Sequence, residues 1–296
     1  MKEKPFSKYQ ILANAVMIIW TLAIILPFIL LFMSSITDEN TLVANGYSFF
    51  PKKFSLASYS YIIKSGGQIL NAYGVSIGVT VVGTLLNVLL SALMAYPLSV
   101  KNLPGRNVMM FFVFFTMLFN GGIVPSYIMW TGTFHIKDTI FAQLLPNFLL
   151  SAWNVMMIRT YFTTSIPDGL YEAAEIDGAS QFTIFWKIVL PLGKPILVTM
   201  GTFAGLAYWN DWTNGLYYIV KNTGLYNVQN LLNQMVQNIQ FLTQSSNSNV
   251  TAAASTIPAT GIQMAIAFVA ILPIMLIFPS FQKYYAKGIA LGAVKG

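Results

Sequence analysis

Long apolar runs alternate along this chain with short polar connections. Six of the runs are long enough to cross a hydrocarbon core of about 30 Å, which takes roughly 20 helical residues. They lie near 11–33, 72–96, 107–130, 139–162, 193–213 and 259–282. The pattern predicts an all-α integral membrane protein with about six transmembrane helices. The connection at about 34–71 holds Asp38, Glu39, Gly46, Pro51, Gly66 and Gly67 and is too polar to span. Lys101-Asn-Leu-Pro-Gly-Arg106 reads as a short turn punctuated by Pro-Gly. The longest polar connection, about 214–258, is rich in Asn, Gln, Ser and Thr from Asn222 to Asn249.

Between the fourth and fifth runs, Ile166 to Pro191 reads as a helix, a glycine turn and a second helix. Pro167 suits a first helical turn, where its missing N–H is not needed, and Asp168 and Glu172 favour that positive end. Gly178 suits the left-handed position that stops a helix. Ser180 can cap the second helix, and Pro191 interrupts the ladder again. Ala173 and Ala174 leave a thin face open to close approach.

Composition agrees with the pattern. Only 8% of the residues are charged, against roughly 25% in an average soluble domain. The formal charge of +7 does not indicate nucleic acid, because the basic residues sort by membrane side and not into one patch. Lys2, Lys4, Lys8, Lys101, Arg106, Arg159, Lys187, Lys194, Lys283, Lys287 and Lys295 fall on one side of six spans. Lys52, Lys53, Lys64, Lys137 and Lys221 fall on the other. The more basic side is expected to be cytoplasmic, with both termini and the Ile166–Pro191 segment inside. The first run is too long for a signal peptide and lacks a small-residue cleavage site after it, so it is expected to be an uncleaved span. The expected organisation is a cytoplasmic tail at 1–10, a transmembrane domain at 11–282 that includes a cytoplasmic loop at 163–191, and a second cytoplasmic tail at 283–296.

Candidate chemistry is sparse. With no cysteine and a single histidine, His135, the chain offers no thiolate or histidine-rich metal site. There is no G-x-x-x-x-G-K-[ST], no H-E-x-x-H and no G-x-S-x-G, so neither a phosphate loop nor a hydrolytic centre is expected. A self-sufficient secondary transporter would need an ionisable coupling residue deep in a span. Asp211 is the only acidic residue within a predicted span, and it lies near one end. Two features stand out in the spans. Asn120-Gly121-Gly122 and Pro125 interrupt the third run, which fits either a broken helix exposing polar groups to a substrate path or close packing through small residues. Tyr208-Trp209-Asn210-Asp211-Trp212 ends the fifth, roughly 24 Å above Lys194 at 1.5 Å per residue. Flat rings beside amide and carboxylate groups suit a sugar, with an interfacial aromatic belt as the alternative.

The Ile166–Pro191 segment resembles the EAA signature of permease subunits in ATP-binding-cassette (ABC) importers. The resemblance is carried by Glu172-Ala173-Ala174, then Asp177-Gly178-Ala179, then Ile188 and Leu190-Pro191. The ending Gly292-Ala293-Val294-Lys295-Gly296 resembles the tail of maltose-type permeases. Phe119-Asn-Gly-Gly-Ile-Val-Pro-Ser-Tyr127 is similar to the third span of lipoprotein-linked oligosaccharide permeases of Gram-positive bacteria. The resemblance implies a type I ABC importer permease fold in a bacterial plasma membrane. It implies a coupling role for Glu172, Ala173, Ala174, Asp177, Gly178, Leu190 and Pro191, and ATPase contact by residues 292–296. It further implies a second, homologous permease subunit in a heterodimer, a cytoplasmic ATPase dimer that binds ATP and Mg, an extracellular substrate-binding protein, and a sugar or oligosaccharide cargo. Asn120, Gly121, Gly122, Trp209, Asn210 and Asp211 are the candidate pathway residues. The same fold could also carry another small solute, such as a peptide or phosphate.

Overall fold

The computed structural model describes residues 8–64, 66–244 and 259–293, and helices dominate it throughout. The chain divides into two compact units. One comprises residues 1–69 and 232–274, the other 70–231 and 275–296.

In the first unit, α1 (Lys8–Ser35) is a helix of 28 residues whose apolar side chains are exposed almost along its whole length. Such a helix is stable only where lipid or another apolar surface covers it. The segment after it is not a span. It forms two short helices, α2 (Glu39–Asn45) and α3 (Ala57–Lys64). Asp38 caps α2 by accepting the Asn40 N–H, and it pairs with Lys53 at 2.8 Å. Glu39 reaches the start of the last helix, where its carboxylate accepts the N–H groups of Thr260 and Gly261 at 2.9 and 2.8 Å. A carboxylate there satisfies orphan donors at the positive end of the helix. Gly261 leaves room for this contact, since a Cβ would sit 2.4 Å from Ser58 Oγ.

The second unit is built on α4 (Gly66–Ser99), a 34-residue helix. The third apolar run is broken. Helix α5 (Arg106–Leu118) ends before Asn120, and α6 (Ile123–Ile128), continued by a π turn at Met129–Thr133, leaves at 109°. The break falls at the Asn-Gly-Gly that the sequence marked. The fourth run departs from expectation, because 139–162 is not one continuous helix. It consists of α7 (Phe141–Leu144), an irregular stretch through Pro146 and Asn147 (φ +67°), and α8 (Ala152–Ser165). Side-chain amides replace the missing ladder bonds. Asn214 donates to the Pro146 carbonyl at 3.1 Å and Asn87 to that of Phe148 at 2.6 Å. Irregular backbone survives at membrane depth only when it is satisfied in this way.

After α8 come α9 (Asp168–Ile176), α10 (Gln181–Ile184), a π turn at Phe185–Val189, α11 (Leu190–Leu192) and α12 (Lys194–Asn210). The chain turns by 79° between Leu192 and Lys194. Helix α12 crosses α4 closely. The places of Cβ atoms on Gly201 and Gly205 lie 3.3 Å from Val88 and Thr84, and Gly83 on α4 accommodates the ring of Tyr208. Small residues four apart let membrane helices approach in this manner. Helices α13 (Thr213–Tyr218) and α14 (Val228–Gln244) come next, and α15 (Ala259–Ala293) extends as far as Ala293 into the second tail predicted at 283–296.

Candidate coupling hairpin and outer amide clamp

The hairpin begins at Pro167, whose ψ of 136° makes it the residue before the helix and not its first turn. Nine residues later α9 stops. Gly178 adopts φ +73°, and the N–H of Ala179 reaches back to the Ala174 carbonyl at 2.9 Å. This is the left-handed stop that the glycine predicts. Ser180 then caps α10 through the Thr183 N–H. Pro191 follows directly on the π turn at Phe185–Val189 within one continuous helical stretch, to whose ladder it can donate no N–H.

The two faces of the hairpin differ. Tyr171, Ala174, Ala179, Ile188 and Leu190 pack on a core formed by Tyr96, Phe162, Ile166, Ile184, Phe185 and Val189. Glu172, Ala173, Ile176 and Asp177 point away, with Ile176 85% exposed. Phe182 is also open. A polar chain ties the hairpin to α4. Tyr96 donates to Gln181, and Gln181 donates to Glu175 at 2.9 Å. Tyr96 also stacks on Tyr171, with centroids 6.3 Å apart. Asp168 forms an ion pair with Lys101 in the preceding turn. At its other end the hairpin is wedged by Gly193, where a Cβ would lie 2.6 Å from Phe162 and 2.9 Å from the Val189 carbonyl. The result is a rigid, exposed α9 joined by side-chain contacts to α4 and through the backbone to α12.

The candidate pathway residues are not gathered into one site. Asn120 turns back on its own loop and accepts the Gly122 N–H at 2.8 Å, with Gly122 at φ +88°. Asn120, Gly121 and Gly122 are exposed, as is Asn210. Trp209 and Asp211 are buried. Asp211 acts locally. One carboxylate oxygen accepts the Thr213 N–H at 3.0 Å, the Thr213 hydroxyl at 2.7 Å and the Asn214 N–H at 3.2 Å, which starts α13.

Sequence reasoning missed the network around that turn. Gln143 is fully buried and donates to the Leu225 carbonyl and to Asn230, both at 3.2 Å. Asn227 donates to the Asp211 carbonyl at 2.7 Å, and its own side-chain oxygen accepts the Asn230 N–H at 2.8 Å. Asn230 continues to the Trp212 carbonyl, and Ser76 accepts the Val228 N–H at 2.8 Å. These side chains fasten residues 211–231 onto α4 and α7. A signal was present, since amides inside apolar runs need partners. Asp138, at φ +59°, adds a second fastening. Its Oδ1 accepts the N–H groups of Val220 and Lys221 at 2.7 Å and that of Asn222 at 3.2 Å. Of the terminal residues proposed for ATPase contact, Val294, Lys295 and Gly296 lie outside the described residues. Gly292 and Ala293 end the backbone of α15.

Comparison with known proteins agrees with this architecture. The family described as "Binding-protein-dependent transport system inner membrane component" matches residues 71–291. Protein LplC of Bacillus subtilis (strain 168) is 36% identical over 272 residues, covering 92% of this chain and 90% of that protein. The polygalacturonan/rhamnogalacturonan transport system permease protein YtcP of the same organism is 35% identical over 288 residues, covering 97% and 98%. A solved bacterial ABC transporter involved in the import of the acidic polysaccharide alginate contains a chain of similar fold. Its TM-score is 0.79 at 26% identity, over 96% of this chain and 100% of that one. With six apolar runs, a helical hairpin exposed between the fourth and fifth, and relatives matched over nearly their full length, this chain belongs to the family of inner membrane components of binding-protein-dependent transport systems.

Proposed function

We propose that the chain is one of two homologous permease subunits in an ATP-driven importer of a sugar or oligosaccharide, and that α9 is its lever. The observation that carries this is the two-faced hairpin. Glu172, Ala173 and Ile176 are free to seat in another protein, while Ala174 and Tyr171 on the opposite face are packed into the transmembrane core. ATP and Mg would be held by a cytoplasmic ATPase dimer, and cargo would be delivered by an extracellular binding protein. Closure of the ATPases shifts α9, and the Glu175–Gln181–Tyr96 chain and the Ala174 contact pass the shift to α4 and α12. The ATPase shifts the equilibrium only if it contacts α9 differently in its two states. A saccharide cargo is supported by the similarity to a permease named for polygalacturonan and rhamnogalacturonan and to an alginate importer. Asn120, Gly121, Gly122 and Asn210 are the exposed candidates for the pathway, with Trp209 and Asp211 setting the backbone that presents Asn210.

Gly178 gives the test. No atom lies within 4 Å of its Cβ position, so substitution strains the backbone without a clash. A β-branched residue at positive φ costs about 1–2 kcal/mol, and Asn less. Gly178→Val should leave the importer assembled but separate ATP hydrolysis from uptake, whereas Gly178→Asn should stay coupled. Uptake of labelled oligogalacturonide and ATPase rate, measured on the same reconstituted importer, decide it. Normal uptake by Gly178→Val would remove the lever role. Uptake of a peptide but no saccharide would remove the cargo.

A further inference from the structure

A groove of about 490 Å³ opens between α4, α5 and α8, away from the hairpin's exposed face and from the outer clamp. Leu98, Met109, Phe112, Val113 and Val155 are among its walls. The one hydroxyl on its lining, Thr116, already donates to the Val113 carbonyl at 2.8 Å. The groove therefore offers dispersion and burial but no free side-chain donor.

One end of the groove is different. Arg106 stands one turn before Met109 on α5, and Arg159 one turn after Val155 on α8, so each continues a groove-lining face. Arg159 is held there by donating its Nε–H to the carbonyl of Leu98, itself a wall residue, at 3.1 Å. The Arg106 Nε is buried and has no hydrogen-bond partner. The two guanidiniums thus stand on the groove-facing sides of α5 and α8. Among the described residues neither has a carboxylate within ion-pair distance, and neighbouring Lys101 is already committed to Asp168. A guanidinium charge without a counter-ion is costly in an apolar setting, and an anion placed between the two cations offsets that cost.

We propose that the groove and its two arginines bind an anionic phospholipid, with a phosphate between Arg106 and Arg159 and an acyl chain laid towards Thr116. The ligand class follows from the pairing of two unneutralised guanidiniums, Arg106 in the first turn of α5 and Arg159 midway along α8, with an apolar channel leading from them into the bilayer. Arginine suits this role because its planar fork meets phosphate oxygens in pairs. The proposal depends on the chain being embedded in a membrane and not on the cargo or the hairpin's role.

The test is lipid retention by the importer assembled around the full chain, read by native mass spectrometry after exchange into nanodiscs. The probes are phosphatidylglycerol and phosphatidylcholine with identical chains. Wild type should retain phosphatidylglycerol preferentially. Arg106→Gln should lower that preference about five- to tenfold, the order expected for one charge near an anionic headgroup. Thr116→Phe, which fills the groove and leaves both arginines, should lower it as well, so the proposal does not depend on one variant folding. Equal retention of the two lipids by wild type would overturn the proposal. So would an Arg106→Gln importer that keeps its phosphatidylglycerol but loses its second permease subunit, because Arg106 would then be answering a partner's carboxylate.

Discussion

At the scale of single residues, two glycines of the hairpin do opposite things. Gly178 is needed for its backbone angle and has empty space around it. Gly193 has an ordinary φ of −78° and is needed for its missing side chain, because Phe162 and the Val189 carbonyl occupy the place of a Cβ. Gly193→Ala should therefore cost about 1–3 kcal/mol by overpacking, while Gly178→Ala is limited to the smaller strain of its turn. Thermal unfolding of the detergent-solubilised importer would show a larger loss for Gly193→Ala. Phe162→Leu introduced beside it should recover part of that loss, and no recovery would mean that the Val189 carbonyl is the contact that matters. The same distinction holds at Gly215, where a Cβ would fall 1.9 Å from the side chain of Asn230.

At the scale of elements, the outer connection is held by amides and by one carboxylate. Asp138 accepts three consecutive backbone N–H groups and donates its own N–H to the Tyr218 carbonyl at 2.9 Å. The bond from the Lys221 N–H, with those from Val220 and Asn222 and the nearby Lys137 charge, holds its carboxyl below the ordinary carboxylate value against an opposing effect of desolvation. A carboxylate with a depressed folded pKa contributes stability that is complete above its ordinary pKa of about 3.9 and is lost as pH falls through the lower, folded value. The fastening is thus constant across neutral and mildly acid conditions and fails only in strong acid. Asp138→Asn, which keeps a carbonyl acceptor and removes the charge, should loosen residues 219–226 at every pH. Limited proteolysis from the outer face should then cut there faster than in wild type between pH 5 and 8, and an unchanged cutting rate would mean that the amide network alone holds the segment.

At the scale of the whole molecule, the exposed apolar surface of α1 and α5 calls for lipid or another apolar surface to cover it, and the basic residues set the expected orientation. The chain contains no cysteine, so single introduced thiols report cleanly. Ile176→Cys, at a position 85% exposed on α9, should react with a membrane-impermeant maleimide in inside-out vesicles and not in intact cells. Lys221→Cys should behave oppositely. Labelling of residue 176 from outside the cell would invert the topology and remove any contact with a cytoplasmic ATPase.

The amino-acid order by itself determined much of what is local. The apolar runs mark the membrane segments, and the turn of the hairpin follows from Gly178 and Ser180, whose effects reach no further than the next few residues. Hence the hairpin was legible before any fold was known. The tertiary structure alone decided which polar residues serve the scaffold. Hydropathy runs straight through Pro146 and Asn147, because it cannot see that Asn214 and Asn87, both more than 55 positions away, will satisfy the carbonyls of a broken span. The setting of Asp211 was out of reach for the same reason. Its neighbours in sequence are aromatic, but the groups its carboxylate meets are the first turn of α13, and Asn227 reaches its carbonyl from sixteen residues on. Gln143 and Asn230, 87 positions apart, become partners only once the chain has closed the loop between them, and no local pattern encodes that meeting.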